Sequence, residues 1–224
     1  MSHPQRVGGD LLGVEFPPTL EGLQAEGPEF YTRAFRAAGC LAADNAVTEV
    51  LRGEEFFGGG MGRKLLLELR YARPQPGLPT QLFAKVPRNF GDPLRDVFGP
   101  LMLPEVRFAL LSRRPDFPIT VPRCCFADLN AATQSGILIT ERIAYGHDGI
   151  EPAYEKCMDY QLADPLGHYL ALAKALATLA GSHRAGRLGA DVDAQFPWQP
   201  PAAMIPYDLP ALLAKLESLR EFAG

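Results

Sequence analysis

Three features in the first half of the chain carry residue types suited to an anionic ligand. Four glycines fall within Gly58–Gly62, Lys85 stands between Ala84 and Val86, and Glu105 follows further along. A glycine backbone can approach a ligand closely and reach positive φ. An ammonium group in an apolar strand needs counter-charges, which a carboxylate and the phosphates of a ligand would supply. These residues therefore predict a phosphate site in which Lys85 pairs with Glu105.

Strand patterns flank the glycines on both sides. Residues 45–57 are β-prone, residues 65–71 alternate with the period of a strand that has one buried face, and residues 81–87 predict a third strand carrying Lys85. A dinucleotide fingerprint needs a helix after the glycines and a Walker A loop needs Gly-Lys-Ser/Thr, so this setting excludes both. A tight hairpin turn that binds no ligand remains the alternative.

Helical spacing and proline positions predict most of the other elements. Before the glycines these are an irregular lead-in over residues 1–27 and a helix over 28–43. After the third strand come an irregular segment over 88–103, a helix that starts at Pro104 and contains Glu105, and strands over 120–127 and 136–144 joined by a polar turn over 128–135. A long Ala/Leu-rich helix over 166–183, closed by Gly186 and Gly189, and a last helix over 210–222 complete the chain. The expected fold class is α+β.

Composition excludes some classes of function. The 224 residues are 47% hydrophobic and 21% charged, which is typical of a packed protein, and a net charge of -4 argues against nucleic acid as the main partner. Residues 63–125 carry 11 basic and 5 acidic side chains, whereas the flanking thirds are acidic. The middle third is where a polyanionic ligand is expected, and scattered surface arginines are an equally good explanation of the same count.

The four cysteines and the N-terminus indicate the cellular compartment in which the protein is expected. Cys40, Cys124, Cys125 and Cys157 form no Cys-x-x-Cys pair and no zinc-ligand spacing with histidines, so we interpret them as thiols of a reducing compartment. The first ten residues lack the apolar segment of a signal peptide, and no uncharged run approaches the length of a membrane span. A cytoplasmic location without membrane contact is expected.

The order of these pieces resembles a protein-kinase small lobe that leads into its large lobe, and more narrowly the aminoglycoside phosphotransferase and choline-kinase-like family, including its ecdysteroid-kinase-like branch. The resemblance spans residues 46–185. The pieces that carry it are Gly58–Gly62, Phe83-Ala84-Lys85-Val86, Glu105-Val106-Arg107-Phe108, Gly136-Ile137-Leu138-Ile139-Thr140-Glu141 and Leu176–Arg184.

The resemblance implies three regions: a lead-in and helix over residues 1–45, a nucleotide-binding small lobe of antiparallel sheet plus helix over 46–145, and the start of a helical large lobe over 146–224. It implies ATP as cofactor, with Mg²⁺ in the complete enzyme, and phosphorylation of a hydroxyl on a small molecule. The residues it places around ATP are Gly58, Gly59, Gly60, Gly62, Lys85, Glu105 and, at the entry to an adenine-binding connector, Glu141.

The catalytic loop of such enzymes reads His-Gly-Asp, then Asn, then a later Asp. Nothing after residue 185 matches, and Gly146-His147-Asp148-Gly149 precedes the long helix with Ala153 in place of the asparagine. We therefore expect the N-terminal portion of an ATP-dependent phosphotransferase, with little or no turnover of its own and an acceptor that the sequence does not specify.

Two alternatives remain open. One is a non-catalytic kinase-like binding or regulatory protein, which would cover the apolar face of its long helix by pairing with another chain, a second copy included. The other is an unrelated α+β enzyme that uses the glycines as a plain hairpin.

Overall fold

The structure is a computed structural model that describes residues 4–58, 61–155, 157–197 and 209–223. The chain divides into two compact units, Met1–Leu188 and Gly189–Gly224. The first unit combines two antiparallel sheets with several helices. This confirms the expected α+β class.

A five-stranded antiparallel sheet forms the centre of the first unit. Its strands are β3 (Val47–Glu55), β4 (Arg63–Tyr71), β5 (Gln81–Val86), β6 (Cys124–Asn130) and β7 (Ser135–Glu141). Each strand hydrogen-bonds its neighbours in the spatial order β3-β4-β5-β7-β6. The first three lie where the sequence predicts them, and the glycines join β3 to β4 as a hairpin.

The predicted polar turn over residues 128–135 is wrong at its start, because β6 continues to Asn130 and includes Asp128. Asp128 is fully buried. Its carboxylate accepts hydrogen bonds from the backbone N–H groups of Leu11 (3.0 Å), Leu12 (3.1 Å) and Leu129 (2.8 Å). These donors compensate the carboxylate for lost water, and two of them come from the distant N-terminal segment.

The lead-in is also more ordered than predicted. β1 (Val7–Gly8) pairs antiparallel with β2 (Glu15–Phe16), and α1 (Leu20–Gln24) follows. The Thr19 hydroxyl accepts from the Gly22 N–H at 3.2 Å, which caps α1. Two-residue strands and a five-residue helix are too short to produce a detectable period, so local sequence gives no signal for them.

Helix α2 (Pro28–Ala37) begins where predicted and ends earlier. Pro28 occupies the first turn, where its missing N–H costs no hydrogen bond. Gly39 has a φ of 69°, a left-handed conformation that ends helices readily. The apolar side of α2 packs on one face of the five-stranded sheet, and its fully or almost fully buried residues are Phe30, Tyr31, Ala34 and Phe35.

The opposite face of the sheet is covered in part by α4 (Met102–Leu111). The predicted irregular segment before it instead contains α3 (Arg95–Phe98) and a 3-10 turn, Gly99–Leu101, so Pro104 is the third residue of α4 and not its first. A proline within the first turn still sacrifices no helix hydrogen bond. Met102, Val106 and Ala109 pack on β6 and β7 and form a second core.

Helix α5 (Pro165–Arg184) is the long helix that the sequence predicts. The Asp164 carboxylate caps it by accepting from the Gly167 N–H at 2.9 Å, and Gly186 follows its end with a φ of 70°. Among the described residues no helix combines the length and apolar character that crossing a bilayer requires. The second unit contains α6 (Val192–Gln195) and α7 (Leu209–Ala223).

Candidate functional site

An ion pair joins the sheet to α4. The Lys85 ammonium on β5 donates to both carboxylate oxygens of Glu105, at 2.7 Å to Oε1 and 2.5 Å to Oε2. The side chains are 13% and 29% exposed, respectively. The sequence predicts this pair, and it forms because α4 places its first turn beside the sheet face from which Lys85 projects. A partly buried pair is screened less by solvent than a surface pair.

Strand register defines the surroundings of Lys85. Its cross-strand neighbours are Lys64 on β4 and Leu138 on β7. Leu138 packs against the α4 core, whereas the side chains next along this face, including Phe83, are only partly covered. Lys85 therefore lies at the boundary between the sheet surface that α4 covers and the surface that it leaves open.

The ends of the glycine turn are held by Lys64. Its ammonium donates to the Gly62 carbonyl at 3.1 Å and to the Gly58 carbonyl. Gly59 and Gly60, which the sequence also assigns to the ligand-covering turn, lie outside the described residues. Phe57, which precedes Gly58, is 83% exposed. Lys64 thus contacts the turn backbone and brings a second cation close to Lys85.

Close packing requires a glycine at position 62, whether or not a ligand binds. A Cβ atom at Gly62 would lie 2.6 Å from the Val86 carbonyl oxygen and 3.2 Å from Cε of Lys85. Side-chain atoms essentially never approach a carbonyl oxygen so closely without displacement. Gly62 therefore allows β4 to pass beside the Lys85 end of β5.

We expect Gly62→Ala to lower the free energy of unfolding by about 1–3 kcal/mol, the usual cost of overpacking. The matched control is Gly53→Ala in β3, where a Cβ would meet nothing within 4 Å, and its change should stay within about 0.5 kcal/mol. Chemical denaturation of both variants measures the difference. Equal stabilities would show that the backbone at residue 62 relaxes freely.

Arg63 closes the base of the hairpin. Its guanidinium binds Glu55 through two hydrogen bonds, at 2.9 and 2.7 Å, and also contacts Glu21 of α1. The hydrogen bonds from Arg63 hold the pKa of Glu55 below its usual value. At Glu21 burial acts to raise the pKa, but the hydrogen bonds from Arg63, from the backbone and from Asn89, together with the charge of Arg63, lower it overall. Arg63 therefore stabilises the scaffold.

Glu141 is separate from the Lys85–Glu105 pair. It lies opposite Leu82 at the end of β7, three residues beyond Leu138 and about 10 Å along the strand. Its carboxylate accepts from the Arg123 N–H at 2.8 Å, and its own N–H donates to the Arg123 carbonyl at 2.9 Å. Glu141 is the last residue of β7, and its side chain contacts the residue that precedes β6.

A buried arginine that no sequence pattern indicates holds the segment between β5 and α4 in place. Arg95 is 4% exposed, and its guanidinium donates to the Arg88 carbonyl, the Thr133 carbonyl and the Ser135 hydroxyl. It also lies 4.0 Å from the centroid of the Phe90 ring. Burial lowers the pKa of Arg95. These contacts attach the start of the α4 region to the β6–β7 turn and so help to position Glu105.

No group of three or more His, Cys, Asp or Glu side chains in the described ranges could hold a metal ion. Two cavities, of about 340 and 480 Å³, are lined by residues around Cys40 and around Arg95, and Lys85 lines neither. The sequence matches no protein-family model, no curated protein and no solved structure. A function for this chain must therefore be inferred from its own geometry.

Proposed function

We propose that residues 46–145 bind ATP as a kinase-like small lobe, and that the chain is the N-terminal portion of an ATP-dependent phosphotransferase acting on a small-molecule hydroxyl. The observation that carries the proposal is the Lys85–Glu105 pair, which joins a central strand to a helix beside a glycine hairpin. In kinase-like enzymes a lysine held this way contacts nucleotide phosphates.

The charges around the hairpin support a phosphate ligand. Lys64 and Lys85 lie directly opposite each other on β4 and β5, and paired like charges destabilise a sheet unless counter-charges are near. An ammonium has three N–H donors, and Glu105 accepts from Lys85 through two oxygens, which leaves a donor for a phosphate oxygen. An anion at this point would interact favourably with both lysines.

We propose nucleotide binding for these residues, and no phosphoryl transfer. The described residues contain no group of three or more His, Cys, Asp or Glu side chains that could hold a metal ion, and the sequence after residue 185 has no His-Gly-Asp with a following Asn. We assign no catalytic step to these 224 residues. Bound ATP would contribute its phosphates as the ligand of Lys85.

Titration of the full chain with ATP tests the proposal. We expect weak binding, and a Lys85→Met variant that binds at least about tenfold more weakly, because a hydrogen bond to a charged group contributes about 1.5–3 kcal/mol. Arg70→Met is the control, since Arg70 is a strand cation that contacts Glu49 in solvent. Equal ATP affinity in wild type and Lys85→Met would exclude this nucleotide site.

A second candidate is a non-catalytic kinase-like protein that pairs with another chain. The observation that favours it is the apolar surface of α5, where Leu166, Leu170 and Leu176 are 70%, 60% and 66% exposed. The gene sequence separates the two candidates. A reading frame that continues into His-Gly-Asp-x-x-x-x-Asn supports the phosphotransferase, and a stop codon after Gly224 supports the pairing protein.

A further inference from the structure

A cavity lined by two arginines lies at the opposite end of α4 from Glu105. It has a volume of about 340 Å³, and the residues that line it include Cys40, Ser112, Arg113, Pro122 and Arg123. Cys40 follows α2, Arg113 follows α4, and Arg123 immediately precedes β6. The described residues of the lining include no aspartate and no glutamate. Three segments that are distant in sequence therefore form a cavity with two positive charges, which we call the arginine cavity.

Backbone carbonyl groups hold both guanidinium groups in place. Arg113 donates to the carbonyl of Ala38, the C-cap residue of α2, and Arg123 donates to the Gly77 carbonyl. Gly77 has a φ of 71°, and a Cβ atom there would overlap the Arg123 guanidinium. Because these contacts already restrict the two side chains, a ligand that binds them loses less affinity to side-chain ordering.

Neither arginine of this cavity is neutralised by a carboxylate. In the part of the chain that the structure describes, no ion pair includes Arg113 or Arg123. Glu141 accepts from the backbone N–H of Arg123 at 2.8 Å, and its carboxylate forms no ion pair with the guanidinium. A guanidinium has five N–H donors, and one carbonyl contact leaves most of them for a ligand.

We propose that the arginine cavity binds the phosphate group of a small phosphomonoester through Arg113 and Arg123. A planar guanidinium donates two parallel hydrogen bonds to phosphate oxygens, and such charge-assisted bonds are among the strongest in proteins. The volume falls at the lower end of the range of about 300–1,000 Å³ that is usual for ligand cavities. Val121 and Pro122 also line the cavity, and their apolar side chains suit a short carbon chain attached to the phosphate.

The arginine cavity is independent of the proposed nucleotide site. Lys85 does not line the cavity, and its partner Glu105 lies in the first turn of α4, whereas Arg113 follows the last turn. Loss of the lysine should therefore leave phosphomonoester binding unchanged, and loss of either arginine should weaken it. The two proposals can fail separately, because different variants test them.

Titration of the full chain with glycerol 3-phosphate at constant ionic strength tests the cavity. We expect saturable binding, with Arg113→Met and Arg123→Met each weakening it at least about tenfold, because each removes charge-assisted hydrogen bonds. Lys85→Met should bind as the wild type does. Arg36→Met is the matched control, since the Arg36 guanidinium also donates to a backbone carbonyl, that of Asn45 at 2.7 Å, and does not line the cavity.

Two calorimetric results would overturn the proposal. One is the absence of saturable binding to the wild type. The other is an affinity that Lys85→Met lowers and both arginine substitutions leave unchanged, which would place the phosphate at the hairpin. A parallel titration with inorganic phosphate separates the two sources of the anion. Tighter binding of glycerol 3-phosphate supports a phosphomonoester, and tighter binding of inorganic phosphate would contradict the role of the attached carbon chain.

Nuclear magnetic resonance of the wild type gives the same answer without any variant that could fail to fold. Glycerol 3-phosphate should shift the backbone amide signals of Cys40, Arg113 and Arg123, and leave those of Gly62 and Lys85 in place. Sodium chloride at matched ionic strength is the control for non-specific screening. Shifts confined to the hairpin, or shifts that sodium chloride reproduces, would exclude the arginine cavity as the binding site.

Discussion

Replacing Asp128 by alanine is expected to lower the free energy of unfolding by about 3–5 kcal/mol. The carboxylate is fully buried and accepts from the N–H groups of Leu11, Leu12 and Leu129. Alanine removes the carboxylate, so the three N–H groups lose their hydrogen-bond acceptor. Each unsatisfied buried polar group costs about 1–3 kcal/mol. The loss should therefore exceed that of most single substitutions.

Chemical denaturation provides the measurement, and two variants provide comparison. Asp128→Asn keeps one acceptor oxygen and should lose less stability than Asp128→Ala. Asp10→Ala removes an exposed carboxylate that accepts from the Ala131 N–H at 2.8 Å, and should cost about 1 kcal/mol or less. Similar losses for Asp10→Ala and Asp128→Ala would show that burial adds little.

The N-terminal segment gives an independent check on the same contact. A Cβ atom at Gly9 would overlap the Asp128 carboxylate. Gly9→Ala should therefore also destabilise the protein, whereas Gly8→Ala, where a Cβ would meet nothing within 4 Å, should not. If Gly9→Ala is neutral, the segment does not lie against Asp128 as described.

The second large effect is expected from Phe126→Ala, which should cost about 3–5 kcal/mol. Phe126 on β6 is fully buried and meets Phe30 of α2 edge-to-face, with ring centroids 6.2 Å apart. The substitution removes a large apolar side chain from the contact between sheet and helix and leaves a cavity there. Such cavities add to the lost transfer free energy, because the surrounding core relaxes only partially.

Phe57→Ala is the matched control, because it deletes the same atoms from a side chain that is 83% exposed. Its effect on the free energy of unfolding should stay within about 0.5 kcal/mol. Urea denaturation of both variants, with the slope checked for constancy, measures the contrast. A Phe126→Ala loss as small as that of Phe57→Ala would mean that α2 does not pack on β6.

Much of the fold near the candidate site follows from local sequence. Alternation of apolar and polar residues predicts β4 and β5, because a strand with one buried face alternates its side chains. The glycines between β3 and β4 predict the hairpin. The Lys85–Glu105 pair is also predicted, since an ammonium group within an apolar strand requires a counter-charge.

Tertiary contacts decided the rest. The sequence around Asp128 is typical of a turn, and only the N–H donors of Leu11 and Leu12 make it a buried strand residue. Gly62 is also required by packing, because a Cβ at this position would meet the Val86 carbonyl. Such contacts lie between residues far apart in the chain, so no local period reports them.

The segments that carry Cys40, Arg113 and Arg123 illustrate the same limit, because only the folded chain brings them to one cavity. The glycine hairpin and the charge of Lys85 were fixed by residue type and short-range pattern, because hairpins and strand periodicity are local properties. Packing decided which side chains surround the candidate site, because side chains become buried and charges come close together only after distant segments meet.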